Sequence, residues 1–211
     1  MVKDQNISRE PDAPIDGPIN APADAIRKVR QSAPQEFDIS IAADGSWYHE
    51  GGHIGRPALV RLFATVLRRE EDGSYWLVTP VERGRITVED APFVIVSMSR
   101  DEGDFDATGP TAPTQRLRFV TNVGDEVILS AACPLRMDIS ARSTKRPISD
   151  SATGPDAGEN LRPYVLIRDG LEARVDRPVF YELAKISVEG PQGVFGVWSE
   201  GTFFPLERGD V

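Results

Sequence analysis

One order of punctuation residues occurs twice in this chain, and it constrains the fold more than any other feature. Phe37, Ile39 and Ile41 alternate with polar or small residues, the period of a half-buried strand. Asp44-Gly45 then marks a turn, and residues 47–50 return as a second strand. Arg56-Pro57 opens a helix whose Leu59, Leu62, Phe63, Val66 and Leu67 repeat at helical spacing. Asp72-Gly73 turns the chain into an aromatic strand around Trp76. The same order returns later. Residues 164–167 read as a strand, Asp169-Gly170 as a turn and residues 171–175 as the return. Arg177-Pro178 opens a helix with Val179, Phe180, Leu183 and Ala184 facing inward, and Glu189-Gly190 leads to a strand over residues 194–198. Both passages end at a Glu and Gly hairpin, at residues 82–84 and at Glu200-Gly201.

This recurrence predicts an α+β protein built on a duplicated antiparallel sheet-plus-helix unit. Residues 1–34, with Pro11, Pro14, Pro18 and Pro22, read as a tail carrying a short helix capped by Asp24. Residues 35–139 form the first half, with further strands at 85–88, 93–98, 117–121 and 127–130. Residues 140–162 read as a connecting loop, and residues 163–211 as the second half.

His49-Glu50-Gly51-Gly52-His53 fits the zinc-peptidase pattern H-E-x-x-H letter for letter. That chemistry requires a helix, because only helical spacing puts both imidazoles on one face with the Glu beside the metal-bound water. Gly51 and Gly52 each cost a helix interior about 1 kcal/mol relative to Ala. Gly45 precedes the motif, Gly55 and Pro57 follow it, and the chain has no third histidine. The segment is therefore read as a glycine-rich hairpin end, with no metal and no other cofactor expected. Its run into Pro57 offers backbone N–H groups to an anion, although it lacks the Lys and Ser/Thr of a P-loop.

The net charge of −9 sets the surface against nucleic acid polymers and anionic membranes. No stretch approaches the about 18 apolar residues of a membrane helix, and no signal peptide is visible, so the expected compartment is the cytoplasm. The single Cys133 lies in an apolar run and reads as an inert thiol. Arg56 and Arg177 precede their helices, where a cation opposes the helix dipole, so each calls for a partner: an acidic side chain, a carbonyl or a ligand. Arg168 and Arg174 flank the second Asp-Gly turn and, with Arg177, form a patch suited to phosphate or carboxylate. Trp47, Trp76 and Trp198 sit in expected strands, mainly as core residues.

Several stretches together resemble a bacterial family catalogued as domain of unknown function 1285. They are Trp47-Tyr48-His49-Glu50-Gly51 with Arg56-Pro57, Leu77-Val78-Thr79-Pro80-Val81-Glu82, Val88-Glu89-Asp90-Ala91-Pro92-Phe93, and residues 163–174 with Arg177. The resemblance covers about residues 35 to 205. It implies a duplicated α+β fold, a C-terminal half superficially like a pleckstrin-homology domain, a ligand site between the halves, and a signalling role with a nucleotide-like ligand. One departure is Cys133, where the resemblance implies a His before Pro134-Leu135.

The resulting expectation is a ligand-binding or signalling protein, with an anionic or nucleotide-like small molecule held between the halves by Trp47, His49, Arg56, Glu82, Tyr164, Arg168, Arg174 and Arg177. The arginines would hold the anion, the aromatics would stack, and Glu82 would bond to a base or ribose. The rival readings are a hydrolase or transferase using His49 or Glu50 as a base, and a module that binds a protein partner through its pleckstrin-like half.

Overall fold

Two six-stranded sheets built to one plan dominate the structure. A computed structural model describes residues 35–101, 115–139 and 161–207. The short helix expected near Asp24 and most of both expected loops lie outside these residues.

The first sheet comprises β1 (Gln35–Ile41), β2 (Trp47–His49), β3 (Gly52–His53), β4 (Leu67–Arg69), β5 (Tyr75–Val78) and β6 (Arg83–Val88), with helix α1 (Pro57–Val66) between β3 and β4. Its spatial order is β3-β2-β1-β6-β5-β4. The second comprises β7 (Phe93–Asp101), β8 (Arg116–Thr121), β9 (Glu126–Ile128), β10 (Leu135–Ile139), β11 (Leu161–Arg168) and β12 (Leu171–Val175). Its order, from the opposite edge, is β9-β8-β7-β12-β11-β10. Adding six to each label of the first sheet gives the second. In both, two three-stranded antiparallel arms meet at a parallel seam, β1 on β6 and β12 on β7. Helix α2 (Arg177–Lys185) follows, and β13 (Val188–Glu189), β14 (Phe195–Ser199) and β15 (Thr202–Pro205) form a third, antiparallel sheet.

The chain is thus an α+β protein of duplicated units, in a different register from the one its punctuation suggests. The Asp44-Gly45 and Asp169-Gly170 turns join β1 to β2 and β11 to β12, which are not equivalent strands. They also differ in kind. Asp169 and Gly170 both have positive φ, as a type I′ two-residue hairpin requires, whereas beside Gly45 only the glycine does. Residues 93–139, grouped with the first half on sequence, pair with β11 and β12 in the second sheet.

Helix α1 begins where Pro57 fixes φ and lacks an N–H to leave unpaired. Its buried face is Val60, Phe63 and Ala64 running on to Leu67, one residue round from the expected stripe, and Leu62 is 59% exposed. Both stripes have helical spacing. They share Phe63, which stacks on Trp47 with centroids 6.1 Å apart. Ala184 of α2 is likewise exposed rather than inward.

A single apolar core spans both units: Ile41, Trp47 and Leu67 from the first pack in the same cluster as Phe93, Phe119 and Val165 from the second. Side-chain donors reach backbone carbonyls across the junction. Arg168 Nη2 donates to Ala64 O at 2.8 Å, Asn122 Nδ2 to Gly45 O at 3.0 Å, and Arg174 Nη2 to Ala43 O at 3.3 Å.

Candidate functional site

The H-E-x-x-H segment is a hairpin. Glu50 and Gly51 form its turn with φ of 50° and 74°, a conformation that glycine adopts without strain. Tyr48 pairs with His53, and His49 with Gly52. Because strand side chains alternate, His53 shares a face with Tyr48 and His49 points to the other face. His53 meets the Tyr48 ring edge-on at 5.6 Å, and His49 lines a cavity beneath α1. Two imidazoles on opposite faces cannot share a metal. Among the described residues no group of His, Cys, Asp and Glu has the arrangement of a metal site.

The eight residues expected to form one site fall into separate places. Tyr164 and Arg174 are cross-strand partners on β11 and β12. They converge with Arg162 on Asp90, in the segment between the two sheets. Tyr164 donates its hydroxyl to Asp90 Oδ1 at 2.8 Å, and Arg174 Nε and Arg162 Nη1 each lie 3.8 Å from Oδ2. Arg168 is engaged elsewhere, with Asp125, the Ala64 carbonyl and the face of Phe93. These two arginines act as ties within the protein. Arg56 and Arg177 are exposed at the starts of their helices, with no side-chain hydrogen bond or ion pair among the described residues. His49 and Glu82 share the cavity beneath α1.

Trp47 lines a different cavity, of about 230 Å³, between the units. Ser46, His53, Pro57 and Arg61 border it from the first unit, and Asn122 and Val123 from the turn between β8 and β9. Trp47 is 1% exposed, and its indole N–H is buried without an acceptor. Among the described residues, Arg61 is the only Arg or Lys lining the cavity, and no carboxylate does. Arg61 carried no signal in the sequence, and Asn122 only as part of Thr121-Asn122, a further stretch of the resemblance to domain of unknown function 1285. Arg61 lies on the polar side of an ordinary amphipathic helix, and Asn122 in a short turn.

Burial, reinforced by the Asp90 carboxylate, holds the Tyr164 phenol well above its ordinary range, and burial also raises Tyr75. The unfolded chain ionises both near the ordinary value of about 10. Above that pH the folded state retains protons that the unfolded state releases, so stability falls as pH rises through and beyond about 10. Urea midpoints measured between pH 8 and 11 should drop, and Tyr164→Phe should reduce that drop while costing about 1 kcal/mol at pH 8. An equal alkaline decline in both proteins contradicts the assignment. Cys133 is half-buried with its thiol near the Ile167 carbonyl, and burial raises its pKa too.

The family model described as "Domain of unknown function (DUF1285), N-terminal domain" matches residues 28–91, and "Protein of unknown function (DUF1285), C-terminal domain" matches residues 92–206. The chain belongs to the DUF1285 family. The border between the two DUF1285 models falls between β6 and β7, beside Asp90, where the first sheet ends and the second begins. The crystal structure of a DUF1285 family protein from Silicibacter pomeroyi DSS-3 is 40% identical, covering 86% of this chain and 87% of that one, with a TM-score of 0.66. A second DUF1285 family protein, from Shewanella baltica OS155, is 25% identical over 71% of this chain and 91% of that one, with a TM-score of 0.44. No curated protein matches the chain. No helix among the described residues is long and apolar enough to cross a membrane.

Proposed function

We propose that this protein binds a small anion in the cleft between its two sheet units, as a sensing rather than a catalytic protein. The observation that carries the reading is the cleft's donor set. Arg61 lines it with no carboxylate among the described residues to neutralise it, and its wall includes the buried Trp47, whose indole N–H has no acceptor among the described residues. The start of α1 adds a favourable dipole, although Leu59 and Val60 already direct their N–H groups to Arg56 O. A volume of about 230 Å³ suits a phosphate or carboxylate on a short organic body and is small for a whole nucleotide. Since both units line the cleft, an occupant would tighten their junction, the physical basis for a signal.

Thermal-shift measurements with inorganic phosphate, short dicarboxylates and nucleoside monophosphates test this. At least one anion should raise the midpoint at millimolar concentration. Arg61→Gln should weaken its binding about tenfold, the loss of one charge-assisted contact, and should leave the midpoint of the free protein unchanged, because Arg61 is exposed. No shift with any anion, or equal shifts in both proteins, defeats the proposal.

A further inference from the structure

The second histidine of the H-E-x-x-H segment lies in the wall of the anion cleft. We infer that His53 is the second cationic contact of that cleft, charged as its imidazole takes up a proton and then selecting dianions over monoanions. The inference rests on the anion reading of the cleft and gives it a charge preference and a pH dependence. His53 and Arg61 line the same space of about 230 Å³, small enough that one short anion between them meets both side chains. Two distances place their polar ends. A Cβ added to Gly55, itself part of the lining, would stand 3.9 Å from His53 Nδ1. A Cβ added to Gly124, next to the lining residue Val123, would stand 3.8 Å from Arg61 Nε. The imidazole thus borders the cleft from the first unit, and the guanidinium reaches to the β8–β9 turn of the second.

No acid in the lining opposes this charge. Tyr48 faces the imidazole edge-on from β2 at 5.6 Å. Ser46, before β2, and Asn122, after β8, bring uncharged polar groups, and among the described residues no carboxylate lines the cleft. The acids beside the lining are engaged with other groups: Asp44 accepts from Ser46 N–H at 2.9 Å, and Asp125 pairs with Arg168. The buried Trp47 adds to the wall an indole whose N–H has no acceptor among the described residues. An imidazole takes up its proton between about pH 5 and 8 and then donates from both nitrogens. The lining then carries two positive charges and no negative one. Coulomb attraction grows in proportion to ligand charge, so a gain of about threefold for a monoanion becomes about tenfold for a dianion. By reciprocity, a bound anion holds the proton on His53 by the same factor.

NMR titration of the full chain with sulfate and with methanesulfonate, at constant ionic strength and at about pH 8 and pH 5.5, tests the assignment. Neither ion titrates in that range, and they present similar oxygen heads with two charges and one. From the higher pH to the lower, sulfate affinity should rise about tenfold and methanesulfonate affinity about threefold. The chain has two histidines, and His49 points to the opposite face of the hairpin, so each imidazole reports on its own side. Saturating sulfate should raise the titration midpoint of His53 by about one pH unit and leave that of His49 in place. His53→Gln, at an exposed position, should bind both ions as the parent does at the higher pH and lose the gain at the lower one, while His49→Gln keeps it. Sulfate affinity equal at both pH values, or a gain that survives in His53→Gln, overturns the role of His53 and leaves the anion cleft standing. Absence of binding by both ions at both pH values overturns it too, and together with a flat thermal-shift series removes the anion cleft itself.

Discussion

Gly45→Ala should unfold at a much lower urea concentration than the parent protein, with about 2–5 kcal/mol of stability lost. Two costs combine. Gly45 has φ of +83°, a left-handed conformation that costs an L-residue about 1–2 kcal/mol. The added Cβ would also stand 2.6 Å from Asn122 Nδ2 and 2.9 Å from Val94 Cγ2. Asn122 cannot swing aside cheaply. Its amide donates to Gly45 O and accepts Val94 N–H at 3.0 Å, and its backbone N–H donates to Val94 O at 2.8 Å. Gly51→Ala isolates the first cost, because Gly51 has φ of +74° with nothing within 4 Å of the added atom. The excess for Gly45 should be about 1–3 kcal/mol, with equal denaturant slopes. Equal losses in the two variants would mean that the contact between the units contributes little to stability.

Local pattern made much of this fold legible. The alternation in β1, β8 and β12 matches their alternating burial, because each has one face on the shared core. β10 carries the same signal, Leu135 and Met137 alternating with Arg136 and Asp138. Pairing partners are another matter. The parallel seams join the first and last strands of each unit, and no local pattern encodes which distant strand a given strand will meet. The candidate site failed for the same reason. Arginines near the second Asp-Gly turn suggest an anion cradle, yet Arg168 and Arg174 bond to carbonyls 104 and 131 residues away. A carbonyl acceptor leaves no trace in side-chain identity. The H-E-x-x-H segment was legible by contrast, because glycine preferences act within the segment itself.

Arg174→Met should cost about 3–5 kcal/mol, because it strands a buried charge. The Asp90 side chain is 5% exposed, and its Oδ2 accepts no hydrogen bond. Arg174 is its better-buried counter-charge, at 12% exposure against 34% for Arg162. Without Arg174, Asp90 keeps one hydrogen bond from Tyr164 and an ion pair largely screened by water. Methionine preserves most of the packing of the arginine stem, so the loss reports on charge and on the bond to Ala43 O. Pairing the change with Asp90→Asn separates the two. An asparagine oxygen still accepts from Tyr164 and carries no charge to strand, so the double variant should be more stable than Arg174→Met alone. Measured by urea unfolding, that recovery should exceed about 1 kcal/mol of coupling. Simple addition of the two single losses would mean that Asp90 is solvated in the folded protein, and that Arg174 holds the units together through Ala43 alone.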